Sequence, residues 1–206
     1  PIEQSTVATV ALRPGSHDAV VAFNGAQLEL RRVDTRTGAQ APMVVPWTAP
    51  EYGNHSPWAP TIMYTADARL VLVAVDDHVG VWDASDGVLR ATWNVEGTIE
   101  LVPGAAETFE FGDTWWRRRD AATGRLLAEG ALHDRYPEAL LSGDRILHTG
   151  EHDLEIVTLA TDRVDARIPL AQVDGGASIV DDGHALVGCS RDGVVRRWSI
   201  DGQERA

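Results

Sequence analysis

Lysine is missing from this 206-residue chain altogether, and all 18 of its Lys-or-Arg positions are arginine. That excludes a lysine Schiff base and a phosphate-loop lysine. Cysteine occurs once, at Cys189 in the apolar run Ala185 to Cys189, so no internal disulfide can form. A buried, inert thiol is expected there. Such cysteine usage fits a reducing compartment, and a cytoplasmic location is expected. No apolar run approaches the ~20 residues that span a bilayer, and no signal-peptide pattern follows Pro1. No helical period is sustained over about ten residues. Positive charge is scarce as well: the net charge is -13 and the pI about 4.8. This disfavours nucleic acid and anionic membrane as partners, since both need a cationic footprint. It suits a protein or peptide partner, a basic one in particular. At this length roughly 70% of the extended-chain surface can be buried, so no disulfide or metal staple is required. The chain begins without methionine and stops soon after a turn. Both ends are read as cuts in a longer parent polypeptide.

The organising stretch is Leu70 to Trp93, LVLVAVDDHVGVWDASDGVLRATW. Leu70 to Val75 is an aliphatic run, short for a helix and suited to a strand buried on both faces. Asp76, Asp77 and His78 break it. Val79 to Trp82 is the next strand, Asp83 to Gly87 the next turn, and Leu89 to Trp93 a further strand. The Trp82-Asp83 pair closing a strand, before a turn ending in Gly87, resembles the signature of the WD-repeat β-propeller family.

That resemblance implies blades of four antiparallel strands recurring at about 40 to 45 residues. Five repeats follow: 6–45, 61–93, 98–131, 138–170 and 176–206. The third-strand ends fall at Val33, Trp82, Arg119, Val157 and Trp198, spaced by 49, 37, 38 and 41 residues. The first gap contains an insertion loop, 46–60, with Trp47, Tyr52, His55 and Trp58 among four prolines. Repeats two and five match well and repeat three poorly. In repeat five the fourth strand is missing. Each blade is sandwiched between neighbours, so middle strands such as Leu70 to Val75 and Ala185 to Cys189 are expected to be apolar on both faces. The expected fold is an all-β, partial propeller of about five such units, part of a larger ring.

Several strings carry a chemical alternative. His148-Thr149-Gly150-Glu151-His152 matches a zinc-peptidase pattern that needs a helix, yet here it crosses a strand end and a Gly150 turn. Asp76, Asp77 and His78 could suggest acid-base work, but aspartate more readily caps a tight turn. Asp153 and Asp192 occupy equivalent turns, and Asp181 and Asp182 precede Gly183 in the same manner. Trp115, Trp116 and three arginines could form an aromatic-basic patch. On a strand, though, neighbours face opposite ways, which favours packing and ion pairing. There is no G-x-S-x-G turn and no Gly-rich phosphate loop. Scattered carboxylates leave a glycosidase open.

In the resembling family, inter-blade loops and the turns between second and third strands share one face. On that mapping Trp47, Tyr52, His55 and Trp58 join Asp77, His78, Glu151, His152, Asp153, Arg191 and Asp192 as a partner-binding surface. Aromatic anchors beside carboxylates suit a basic or mixed peptide. The alternative for Trp47 and Trp58 is that they pack the insertion down. The expected function is a non-enzymatic scaffold for protein-protein interaction, with no catalytic residue, metal or cofactor implied. A hydrolase-type propeller enzyme with a central-channel site, and an inhibitor or immunity-type protein masking a basic partner, are the alternatives.

Overall fold

The computed structural model describes residues 6–24, 28–47, 60–133, 135–173, 177–181, 183–190 and 193–205. Among the described residues twenty strands form five four-stranded antiparallel sheets, each with its strands in sequence order. The first sheet holds β1 (Thr6–Leu12), β2 (Asp18–Asn24), β3 (Glu29–Asp34) and β4 (Gln40–Met43). The second holds β5 (Thr61–Tyr64), β6 (Leu70–Val75), β7 (His78–Asp83) and β8 (Leu89–Asn94). The third comprises β9 (Thr98–Leu101), β10 (Glu107–Phe111), β11 (Trp115–Asp120) and β12 (Leu126–Ala131). The fourth comprises β13 (Ala139–Leu140), β14 (Arg145–Thr149), β15 (Asp153–Thr158) and β16 (Arg163–Pro169). The fifth comprises β17 (Ala177–Val180), β18 (Ala185–Cys189), β19 (Val195–Ser199) and β20 (Glu204–Arg205). The one helical element among the described residues is a 3-10 turn, Leu170–Gln172.

The chain divides into two compact units: Pro1–Ile99 with Arg119–Arg125, and Glu100–Arg118 with Leu126–Ala206. In the first unit, Val20, Ala22 and Leu30 of the first sheet pack against Val71, Val73, Val75 and Trp82 of the second. The register explains the set. Val71 lies opposite Trp82, Val73 opposite Gly80 and Val75 opposite His78, so these residues share one face. Leu72, Val79 and Val81 take the other face and are equally shut off from solvent. Sequence expectation and structure agree here: β6 is apolar on both sides because both sides are covered.

Arginine stitches these two sheets together. Arg13 donates from Nε to the Ala68 carbonyl at 2.9 Å and from Nη1 to the Ala84 carbonyl at 3.4 Å. Arg32 donates to the Ser85 carbonyl. The Trp82 indole N–H reaches the Val44 carbonyl at 3.0 Å. A guanidinium's planar fork can serve two carbonyls at once, a task for which a lysine point charge is less suited.

In the second unit the fourth sheet is covered on both faces. Ile146 and Val157 join Phe109, Phe111 and Trp116, while Leu147, Leu154 and Ile156 join Leu186 and Trp198. Register pairs Ile146 with Val157 and Leu147 with Ile156, which assigns the two sets to opposite sides. Trp116 points into its cluster, whereas Trp115 faces the other way and lies under the Arg117 guanidinium at 4.7 Å. Trp115 and Trp116 thus face opposite sides of β11 and cannot both stack on one ligand.

Two expectations are corrected. The fifth sheet does have a fourth strand: Glu204 and Arg205 pair with Trp198 and Arg197. A turn with Gly202 at φ 77° brings the chain back for that short pairing, too brief to register as a strand in sequence. Cys189 is exposed rather than buried. It ends β18 opposite Val195, on the face away from the fourth sheet, and Val195 is 68% exposed.

Candidate functional site

The most organised cluster among the expected binding residues forms where the insertion meets the second sheet. Gly80 in β7 has no side chain, and two rings occupy the space above it. A Cβ there would come within 2.3 Å of the Trp82 ring and 2.6 Å of the Trp47 ring. Trp47 meets Trp82 edge-on at 6.0 Å and stacks on the His78 imidazole at 5.6 Å. His78 also places Nδ1 3.0 Å from Oδ1 of Asn94, its cross-strand partner, and Nε2 3.4 Å from Asp77 Oδ1. The turn that presents His78 has Asp76 at φ 50°, a left-handed conformation that aspartate tolerates better than most residues. Trp47, Asp77 and His78 are thus brought together, as expected. Trp47 is also half-buried against the core, with its indole N–H lacking a partner among the described residues. Packing the insertion down is accordingly part of its role.

The other expected residues are distributed differently. Glu151 and His152 sit at the tip of the β14–β15 turn in the second unit, 88% and 82% exposed in their side chains, with His152 Nε2 3.7 Å from Glu151 Oε1. Asp153 begins β15, and its carbonyl accepts the Gly150 amide at 2.8 Å. His148 ends β14 and its Nδ1 lies 3.1 Å from the Tyr136 carbonyl. The His148-to-His152 string therefore runs through a strand end and a turn, without the helix that zinc chelation by that pattern requires. Tyr52, His55, Trp58, Asp182, Arg191 and Asp192 lie outside the described residues.

Turn capping is real, but the aspartates that do it stand elsewhere. They close the third strand of a sheet. Asp34 accepts the Arg36 and Thr37 amides at 2.8 and 3.2 Å. Asp83 accepts the Ser85 amide at 2.9 Å and its hydroxyl at 2.6 Å, and Asp120 accepts the Thr123 amide at 2.9 Å. Each turn ends on a left-handed glycine, Gly38, Gly87 or Gly124, whose amide returns to the aspartate carbonyl. In the fourth sheet Asp162, at φ 52°, takes the glycine's place. Asp77 caps no backbone amide in this way; its carboxylate turns to His78. Ser85 hydroxyl and amide, then Arg90, hold the Asp83 carboxyl well below its ordinary value of 3.8.

A second feature has little signature in the sequence. In the second unit a cavity of about 480 Å³ opens along the first strands β9, β13 and β17. Leu101, Pro103, Leu140, Ile179 and Val180 supply apolar wall, and Glu100 and Asp181 supply carboxylates. Burial pushes the Glu100 carboxyl up, only partly offset by the Leu140 amide. Asp181 instead pairs with Arg197. A single acid inside the apolar strand TIEL was the available signal.

No protein-family model matches the sequence, and no curated protein matches it. Solved structures do match in fold. The Cps50 (Swd1) β-propeller domain of Myceliophteria thermophila superposes with a TM-score of 0.62 at 15% identity, over 96% of this chain and 66% of that one. The RRP9 WD40 repeats give 0.59 at 11% identity, over 97% and 62%. The dihydro-heme d1 dehydrogenase NirN gives 0.59 at 16% identity, over 98% and 47%. The fold is that of WD40 β-propeller domains, and the chain spans less than two thirds of the length of the Swd1 and RRP9 structures.

Proposed function

We propose that this chain is a non-enzymatic scaffold module that works by holding proteins together, and that it does so as part of a larger propeller. One observation carries this reading: on the faces of the first and fifth sheets turned away from their neighbours, aliphatic side chains of β1 and β19 stand exposed beside charged ones. On β1, Val10 and Leu12 are 53% and 67% exposed; Val21 and Ala19 opposite them are buried, and Arg31 and Glu29 lie on the same face by register. On the fifth sheet, Val195 lies beside Cys189, and Val187 is on the same side. The opposite faces of both sheets are sealed against a neighbouring sheet. Exposed aliphatic side chains grouped on a strand support an interaction site there.

The occupant proposed for each face is a further four-stranded sheet of the same kind. Length supports it, since the solved WD40 structures extend well beyond what this chain covers. So does continuity, because the same sheets already use their other faces for such packing. The Asp76-to-His78 turn beside Trp47 and the Glu151-to-Asp153 turn are then the recognition loops, with the acidic chain favouring a basic peptide.

Sedimentation tests the proposal. With its seats empty, the chain should self-associate as concentration rises. Val10→Glu and Val195→Glu should return it to a monomer with an unchanged melting curve. A wild-type chain that stays monomeric and binds no apolar dye at every concentration would overturn the reading.

A further inference from the structure

We infer that the cavity along β9, β13 and β17 is a binding site for a cationic group on an apolar stem, an ammonium or guanidinium, with Glu100 as its counter-ion. Three observations carry this. First, the space is large enough for such a group: about 480 Å³, within the ordinary range of small-ligand sites. Second, the side chains that line it are apolar apart from two carboxylates, and no arginine or histidine is among the lining residues. An anion would meet the Glu100 carboxylate there, and a neutral ligand would leave that acid without a counter-charge. Third, the two acids differ. Asp181 is already neutralised by Arg197, so it contributes little net charge. Glu100 has no ion-pair partner among the described residues, and its one favourable neighbour is the Leu140 amide.

A carboxylate taken out of water without a cation beside it is costly, and a cation arriving there offsets that cost. The apolar wall formed by Leu101, Leu140 and Ile179 would take up a short hydrocarbon stem. Other arginines of the unit are committed elsewhere: Arg118 to Glu107, Arg145 and Arg163 to Asp165, and Arg167 to Glu155. The site does not depend on the scaffold reading, since its acid, Glu100, stands on β9 of the third sheet, away from the first and fifth sheets.

The chemistry fits a free small amine or the side chain of a lysine or arginine in a peptide. Amide-resolved NMR titration with butylammonium, butylguanidinium and a capped Gly-Arg-Gly peptide tests it, with 1-butanol as the neutral control. The cations should shift the Leu140, Ile179 and Val180 amides, and butanol should not. Glu100→Gln should weaken cation binding about tenfold, the scale of a charge-assisted hydrogen bond. The same substitution removes a carboxyl that burial disfavours, so its melting temperature should hold or rise, and lost binding would not reflect unfolding. Tighter binding of the peptide assigns the ligand to a partner chain; tighter binding of the free amines assigns it to a small molecule. Equal shifts from butanol, equal binding by Glu100→Gln, or no shifts from either cation would overturn the inference.

Discussion

Gly80 shows how one missing side chain organises a neighbourhood. Without a Cβ at this point of β7, the rings of Trp82 and Trp47 lie on the strand, and Trp47 in turn covers His78. Gly80→Ala would put a methyl group where ring carbons of both tryptophans already stand. The expected cost is about 1–3 kcal/mol, the usual range for overpacking, read by denaturant unfolding. The sequence shows Gly80 between Val79 and Val81 in a buried strand, which signals a close approach. It does not say what approaches, because Trp47 is distant in the chain and only tertiary packing brings the two together. Cys189 failed for a related reason. Its apolar surroundings are genuine, but which side of the strand is covered depends on a neighbouring sheet.

The turn between third and fourth strands is the element that repeats most faithfully. Asp-x-x-x-Gly at 34–38, 83–87 and 120–124 folds the same way each time, with the carboxylate on amides near the turn's start or middle and the glycine left-handed at its end. Local chemistry dictates it, which is why the turns were legible even where the anchor is Arg119 instead of tryptophan. The carboxyl of Asp83 is depressed below 3.8 in the folded chain, and Asp34, Asp67 and Asp165 shift the same way. A depressed folded value means that the stabilisation is present above the unfolded value and is lost as pH falls through the folded one. Acid unfolding should therefore steepen below about pH 4. Asp83→Asn should cost about 1 kcal/mol at neutral pH, the worth of a hydrogen bond to a charged group in a partly exposed turn. That difference should shrink as the wild-type carboxyl protonates, measured by urea unfolding across the acid range. Equivalent aspartates in the turns between second and third strands were expected to cap as well. Asp77 does not, because a two-residue connection leaves its side chain free to turn toward His78.

For the molecule as a whole, strand order, sheet number and the paired-face character of β6 could be read from pattern. The coverage of the terminal sheets could not, since periodicity reports what a strand is built to bury and not whether anything is there. This difference has a measurable counterpart in hydrogen exchange. Amides of β6, β7 and β15 lie in sheets covered on both sides and should exchange only through large-scale opening. Those of β1 and β19 have one open flank and should exchange at least tenfold faster, about 1.4 kcal/mol less protection. Uniform protection across all five sheets would contradict the one-sided packing described for the first and fifth.

Cys189 gives this molecule an intrinsic gauge. It is the sole thiol in the chain, and it stands on the open flank of the last sheet beside Val195. A maleimide reagent will thus footprint that flank in the native polypeptide with no engineered label. The alkylation rate should be fast while the flank is bare and fall when another sheet docks over it, so a stopwatch can follow assembly.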